Sequence, residues 1–502
     1  MYAEKDFQLL EARTADVQVE MPWRRDRPYM NPHAVFSRER NSLKTDQQEH
    51  ITAVIGKNGT GKSHLLGAIV RTFVALDDLR LQKRQRTKDL PLEYLEYVCD
   101  GKHCVVEQDQ IRQVVATVDG RVTSLVDLPL PRRVVALTLS PFDKFPVPRT
   151  FPYSDAPVDA TMYQYLGLRD RFGKASIEAL LYRSLSSLFD QSENEALRRS
   201  NIGAVFNFLK LKPTVNVIYR LRDTSRLRDA VNRKLRLGQD DVLSPSQQRR
   251  VEDVERSGIS ENELRELLEF AYTRAERGRI ETRADFEYGG ILDDVFHKLQ
   301  PIRRAGFLNL IGVEVTHQSG LASDLRSASS GTLSMVSSLI ALASVISNGS
   351  LVLIDEPELS LHPEWQVKYI DLLAKTFGRY RGCHFVVATH SPLVISELPN
   401  HAEVISLDQD GLSPTRELRG RSSDFLLAEA FGLPTNGNLY IKGRIVEALR
   451  LVANGKSRSA QFKNILVDLQ RFERDLDDDD PSKTIIANLQ EVADHAGRGI
   501  QQ

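Results

Sequence analysis

Eight residues constrain this chain more than any others: Gly56-Lys57-Asn58-Gly59-Thr60-Gly61-Lys62-Ser63. They follow a short β-branched run, Ile51–Ile55, and lead into a stretch, Lys62–Leu76, with helical apolar spacing. The pattern G-x-x-x-x-G-K-[ST] between a strand and a helix is a phosphate-binding loop. Its glycines let the backbone wrap close enough for N–H groups to meet phosphate oxygens, and the helix opening at His64 adds a dipole that favours an anion. Lys62 is expected to neutralise charge between the terminal phosphates of a nucleotide, and the Ser63 hydroxyl to be a Mg²⁺ ligand. A glycine turn arising by chance would not come with both the strand and the helix in place.

The 502 residues suggest roughly three domain-sized units. Hydrophobic residues make up 41% and charged residues 27%, which allows a sizeable core. Lys+Arg number 67 against 68 Asp+Glu, so a nucleic-acid surface, if present, is a local patch. Three cysteines exclude a disulfide scaffold and fit a reducing cytoplasm. Met1–Leu10 lacks the apolar core of a signal peptide, and the most apolar stretch, Met335–Ile346, falls short of the about 20 residues a membrane span needs. The expectation is a cytoplasmic protein with no membrane contact.

Strand and helix signals alternate over residues 1–166 and again over 301–420. The segment 167–300 reads as mainly helical and highly charged, with apolar residues at three-to-four spacing in Ala175–Phe189, Asn194–Leu211 and Glu261–Arg277. The last part, 421–502, reads as all-helical. The fold class is therefore α/β, split by a helical insertion and followed by a helical tail. The insertion lacks sustained heptads and is too short for a long coiled-coil arm.

Leu351–Asp355 is an apolar strand that ends in Asp355-Glu356. Asp355 is placed to hold Mg²⁺ through water, and Glu356 to polarise the attacking water as a general base. Ala328-Ser329-Ser330-Gly331-Thr332 opens an apolar helix, a second helix N-terminus suited to an anion and equally to an ordinary N-cap. The strand His384–Thr389 is followed by His390, at the strand end where ligands bind in α/β sheets.

The order of these elements, phosphate loop, Ser-Ser-Gly, Asp-Glu, then His, resembles the ATP-binding-cassette ATPases. The run Glu356-Pro357-Glu358-Leu359-Ser360-Leu361-His362-Pro363 is similar to the branch of SMC, RecF and overcoming-lysogenisation-defect proteins. The resemblance covers Ile51–Pro392. It implies an ATPase head with ATP and Mg²⁺ as cofactors. Gly56, Lys57, Asn58, Gly59, Thr60, Gly61, Lys62, Ser63 and His64 would hold the nucleotide within one subunit. Ser329, Ser330, Gly331 and Thr332 would complete the site from the other subunit of a homodimer. Glu356 would be the catalytic base and His390 the sensor of the terminal phosphate. One departure is plain: where such ATPases carry a glutamine after an early strand, this chain reads Ser140-Pro141-Phe142-Asp143-Lys144-Phe145. Asp143, or else Ser140, is the candidate to serve the metal there.

The run Ser140–Phe145, with Tyr165-Leu166-Gly167-Leu168-Arg169 and Ala430-Phe431-Gly432, further resembles the PtuA family of Septu antiphage ATPases and its retron-associated relatives. That resemblance implies a small HNH nuclease partner. Three readings stay open: a defence ATPase controlling a nuclease, a RecF-like ATPase binding DNA directly, and an ATP-locked scaffold with little hydrolysis.

Other features read more plainly. Residues 201–250 hold eleven Lys/Arg against four Asp/Glu, and Arg80–Lys88 is a second basic run; each is a phosphate-backbone candidate or a solvated helix face. Cys99-Asp100-Gly101-Lys102-His103-Cys104 reads as an Asp-Gly hairpin with free thiols rather than a zinc site. Asp408-Gln409-Asp410 reads as hairpin polar residues, with no nuclease centre in this chain. Asp475–Asp480 reads as a solvated helix end.

Overall fold

The computed structural model describes residues 6–14, 17–18, 29–30, 32–37, 49–81, 90–108, 113–148, 161–169, 180–181, 184–185, 195–221, 261–287, 294–304, 307–359, 361–399, 401–407, 412–413 and 418–498. They fall into two compact units. One comprises Met1–Pro148, Thr161–Gly167 and Ser347–Gln502; the other comprises Arg149–Ala160 and Leu168–Ile346.

The first unit is built on a seven-stranded sheet. In spatial order its strands are Tyr163–Leu166, Arg133–Thr138, Ser350–Asp355, Cys383–Ala388, Glu49–Ile55, Glu403–Ser406 and Leu412–Ser413. The first six run parallel and the last closes an antiparallel hairpin. Strands Ser350–Asp355 and Cys383–Ala388 are buried along their whole length, as an unbroken apolar run in a doubly covered parallel sheet demands. Chain order and spatial order differ, and this matters for the site. The strand that feeds the phosphate loop lies beside Cys383–Ala388, which in turn lies beside Ser350–Asp355. In register, Asp355 faces Ala388 and Ala388 faces Val54. Three segments far apart in sequence thus end side by side.

A six-stranded antiparallel sheet lies in the same unit, ordered His33–Val35, Phe7–Thr14, Leu92–Cys99, Lys102–Gln108, Val114–Val118 and Arg121–Thr123. Helix Lys62–Arg80 touches strands of both sheets. Its Phe73 meets Phe7 and Tyr97 edge-on, with ring centroids 5.7 and 5.4 Å away. The expected hairpin at Asp100-Gly101 is present, with both residues at positive φ (53° and 72°), as its tight turn requires. Cys99, Cys104 and Cys383 are buried and free.

The second unit contains helices but is not helical throughout. An antiparallel sheet runs Arg279–Asp285, Leu211–Leu221, Leu308–His317 and Ala322–Asp324. Two of these strands lie in the segment read as helical. Charge density hid a period of two: Ile280, Thr282 and Ala284 point inward while Arg279, Glu281 and Arg283 point out. The helix expected over Asn194–Leu211 ends at Phe208, and Leu211 already begins a strand. The apolar helix Ser330–Val345 packs on Glu195–Phe208, and the Ser184 hydroxyl donates to the Ser337 carbonyl at 2.6 Å. Most of Ala175–Phe189, the basic run Arg222–Arg236, Lys83–Lys88 and Asp408–Asp410 lie outside the described residues.

The tail is helical, as expected: Ser423–Glu429, Leu439–Ala453, Ala460–Glu473 and Pro481–Arg498. Ile441, Ile445, Phe462, Ile465, Leu469 and Phe472 are core residues shared by two of these helices. The acidic run is exposed at Asp475 and Asp477–Asp479, as a solvated helix end should be, and departs from that reading only at Asp480. Asp480 is buried and accepts the N–H groups of Ser482 (2.7 Å) and Gly437 (3.3 Å), and Asp477 accepts from Asn436 at 2.7 Å. No described helix is long and apolar enough to cross a membrane.

Candidate functional site

The phosphate loop leaves the end of Glu49–Ile55 and turns into helix Lys62–Arg80. Gly59 (φ 86°) and Gly61 (φ 94°) occupy the left-handed region, which a side chain at either position would strain. The Thr60 hydroxyl donates to the Lys57 carbonyl at 3.0 Å and closes the loop on itself. Lys62 is 4% exposed. Its ammonium donates to the carbonyls of Gly56 (2.6 Å) and Lys57 (3.1 Å) and lies 3.4 Å from His390 Nδ1. A buried cation in a phosphate-binding loop suits an incoming phosphate. His64 follows, its imidazole pKa lowered by burial and by the nearby charges of Lys144 and Arg71.

The Ser63 hydroxyl donates to Asp355 Oδ1 at 3.0 Å. Burial pushes the Asp355 carboxyl up to about 7; Glu356, Asp143 and Glu358 add to the rise, and the Ser63 hydrogen bond opposes it. Such a carboxyl lacks a compensating positive charge. A hydroxyl and a carboxylate already side by side are hard oxygen donors of the kind Mg²⁺ takes, so the residues present fit that ion beside a nucleotide. Bound there, it would be held by Ser63 and Asp355 and would supply charge neutralisation.

Glu356 adopts φ 50°, one of five non-glycine residues described with positive φ. Strain of this kind marks a side chain whose direction matters. The Glu356 N–H donates to the Ala388 carbonyl at 2.9 Å, and its Oε1 lies 3.8 Å from His390 Nε2. With His390 Nδ1 facing the Lys62 ammonium, the imidazole proton is assigned to Nε2, towards Glu356.

At the place of the absent glutamine, Asp143 is buried. Its Oδ1 accepts the Phe145 N–H at 3.0 Å and its Oδ2 accepts the Tyr165 hydroxyl at 2.9 Å. Gly167 is needed beside it, because a Cβ there would sit 2.3 Å from the Tyr165 ring. Ser140 is also buried, but its hydroxyl accepts the Phe142 N–H at 3.2 Å and so shapes the turn.

Lys62, Ser63, Asp355, Glu356 and His390 are thus brought together as expected. Ser329–Thr332 belongs to the second unit, where Ser329 caps the helix: its hydroxyl accepts the Thr332 N–H at 3.3 Å and lies 2.9 Å from the Thr332 hydroxyl. Ser329 and Thr332 are exposed and Gly331 is buried. His362 caps the helix Pro363–Phe377 through the Glu364 N–H.

Three features escaped the sequence. Glu358 reaches the His390 backbone, Tyr165 holds Asp143, and Lys57 pairs with Asp475 of the tail at 3.6 Å. Each joins residues that sequence spacing does not relate.

The fold is that of a P-loop NTPase. The family described as "AAA domain, putative AbiEii toxin, Type IV TA system" matches residues 160–396, a span that includes Ser329–Thr332, Asp355, Glu356 and His390. Among curated proteins, the chain is similar to the "Retron Vc95 probable ATPase" of Vibrio cholerae serotype O1 biovar El Tor, with 37% identity over 82 residues, 16% of this chain and 15% of that protein. It is likewise similar to the "Retron Ec83 probable ATPase" of Escherichia coli, with 35% identity over 81 residues, 16% of this chain and 14% of that protein. Protein ea59 of Escherichia phage lambda is 30% identical over 120 residues, 22% of each chain. The matched region therefore spans about a seventh of the two retron relatives. Among solved structures, the SMC head domain from Thermotoga maritima aligns over 79% of this chain and 94% of its own, with TM-score 0.32 and 10% identity.

Proposed function

We propose that this chain binds and hydrolyses ATP as the ATPase subunit of an antiphage defence complex of the SMC/RecF type, and that ATP-driven pairing of two copies controls a partner nuclease of the HNH kind. The convergence of Lys62, Ser63, Asp355, Glu356 and His390 at the carboxyl ends of three adjacent strands carries the hydrolysis part of this reading. Similarity to two retron ATPases supports the defence setting.

In this mechanism Lys62 and the loop N–H groups bind the terminal phosphates and hold them in line. Ser63 and Asp355 would hold Mg²⁺, which would supply charge neutralisation beside the phosphates. Glu356 accepts a proton from the attacking water, and the strained backbone at Glu356 aims its carboxylate. His390 donates from Nε2 and polarises the same region. Ser329–Thr332 of a second copy would offer its helix N-terminus to the terminal phosphate, so that loss of that phosphate releases the pair.

The experiment is steady-state ATP hydrolysis by the wild type and Glu356→Gln, with molecular mass followed by light scattering. Expected are turnover in the wild type, a loss of about 10²–10⁴-fold in Glu356→Gln, and an ATP-stabilised dimer in that variant. A wild type that binds ATP without turnover would favour the locked scaffold.

A second reading, direct nucleic-acid binding, is favoured by one observation in the second unit. Arg220 and Arg279 face each other across neighbouring strands, and both are exposed, with exposed Arg277 next to them. Like charges directly opposite are unfavourable without an anion between them. Salt-dependent binding of a DNA duplex, lost in Arg220→Gln/Arg279→Gln, would establish it.

A further inference from the structure

Glu358 has no part in the mechanism so far, yet it sits between two of its members. It lies two residues beyond Glu356, in the loop before helix Pro363–Phe377. The ladder of strand Cys383–Ala388 ends when the Thr389 N–H donates to the Val54 carbonyl at 3.1 Å. The next N–H, that of His390, donates to Glu358 Oε1 at 2.6 Å. A parallel tie runs beside it. The Ser391 hydroxyl donates to Gln366 Oε1 at 2.7 Å, and Gln366 Nε2 donates to the Leu361 carbonyl at 3.0 Å. The same hydroxyl accepts the N–H groups of Leu393 (3.2 Å) and Val394 (3.4 Å). The loop that carries Glu356 is thereby fastened to the turn that carries His390.

Stability alone does not account for a carboxylate here. Glu358 Oε2 is buried without a hydrogen bond of good geometry, and burial raises the Glu358 carboxyl above the usual range, with nearby Glu356 adding to the rise, while the His390 N–H, foremost, then its own backbone and the Thr389 hydroxyl work against it. A buried carboxylate that is only partly satisfied is held at a cost in stability. What it supplies is a short, charge-assisted bond to one backbone N–H. That backbone sets where the His390 imidazole lies between Lys62 at 3.4 Å and Glu356 at 3.8 Å.

We propose that Glu358 is a positioning residue for hydrolysis: by gripping the His390 N–H it ties the imidazole to the loop of the general base, so that the two move as one. This rests on the hydrolysis reading above. Removing the grip displaces the ring without touching the phosphate loop, and a displacement of about 1 Å at a reacting centre costs on the order of 100-fold in rate.

The test uses the full chain with Glu358→Ala, Glu358→Gln and Glu358→Asp, measuring kcat and KM for Mg-ATP and the thermal midpoint. Glu358→Ala is expected to lose about 10- to 100-fold in kcat with KM within about threefold. Glu358→Gln, whose amide oxygen accepts the same N–H, is expected to stay within about threefold of wild type. Glu358→Asp, one methylene too short, repeats the alanine loss and replaces that variant should it fail to fold. Wild-type kcat in Glu358→Ala or Glu358→Asp would overturn the proposal, as would equal loss in Glu358→Gln. Nuclear magnetic resonance of ¹⁵N-histidine separates this from the hydrolysis reading. If the wild type shows no turnover, that reading fails, while the His390 signal must still shift in Glu358→Ala and not in Glu358→Gln. An unmoved signal overturns the positioning role.

Discussion

Two histidines mark the two ends of one strand. His384 stands near the start of Cys383–Ala388 and His390 just past its end. His384 is fully buried: its Nδ1 accepts the Leu9 N–H at 2.9 Å and its Nε2 meets the Thr52 hydroxyl at 2.9 Å. Nδ1 ties the strand Phe7–Thr14 to the parallel sheet, and Nε2 ties His384 to the neighbouring strand Glu49–Ile55 within it. His390 is partly exposed, and its nitrogens face an ammonium and a carboxylate. At the amino ends of the strands, polar groups are satisfied inside the chain and contribute stability. At the carboxyl ends, a buried ammonium and a carboxyl raised to about 7 are held in place at a cost in stability. One residue type is thus satisfied inside the fold at one end and faces an ammonium and a carboxylate at the other.

The largest expected effect lies at the carboxyl ends. Lys62→Ala should weaken ATP binding by roughly 100-fold or more in calorimetric titration, because a charged, buried donor is lost. Unchanged affinity would remove the loop from the site. Next, His390→Ala should lower kcat by about 10- to 100-fold with little change in thermal midpoint. A large drop in stability instead would make His390 a second His384 and erase the contrast.

The sequence made the carboxyl ends legible because their chemistry is local. Gly56–Ser63 and Asp355-Glu356 are each a few contiguous residues whose type and spacing carry the physics. The parallel sheet followed from apolar runs such as Leu351–Ile354. The amino ends were not legible, since His384 becomes structural only through Leu9 and Thr52, hundreds of residues away. Glu358 and Tyr165 were hidden because their partners, 32 and 22 residues away, meet them only in the fold. The strand Arg279–Asp285 was missed differently: its alternation was present, but its outward residues carry charge and only Ile280 of its inward ones is large and apolar, so the charged helical surroundings dominated the reading.

The amino-end histidine makes its own prediction. His384→Leu should cost about 2 kcal/mol, since the Leu9 N–H and Thr52 hydroxyl lose their partner, while kcat per folded molecule stays unchanged. Its acid dependence has a definite sign. Burial holds His384 well below the ordinary 6.5, with nearby His50 adding to the effect, and burial brings His50 to about 4. Below pH 6.5 the unfolded chain takes up protons that the folded chain refuses, so their stabilisation is lost as pH falls from 6.5 towards about 4. Asp355 and Glu49, whose carboxyls are raised, act in the opposite sense. They cancel when wild type and His384→Leu are compared. The stability gap between the two proteins should therefore narrow between pH 7 and pH 5 in denaturant titrations. A gap that widens would mean that His384 is charged in the fold.

The smallest effect tests whether the contrast between the two strand ends is complete. Lys57, inside the phosphate loop, reaches Asp475 in the turn between the last two tail helices, with side chains 43% and 49% exposed. The Asp475 turn is anchored from below by Asp480 and Asp477, so its position is built in rather than incidental. An exposed pair of this kind is worth about 0–1 kcal/mol and is screened by salt. Asp475→Asn should accordingly change ATP affinity by less than about threefold at 0.15 M salt, with a larger effect at low salt. A change beyond about tenfold that persists in high salt could not come from this pair alone. It would make the helical tail a third wall of the nucleotide site, and the carboxyl ends of the sheet would no longer hold the chemistry by themselves.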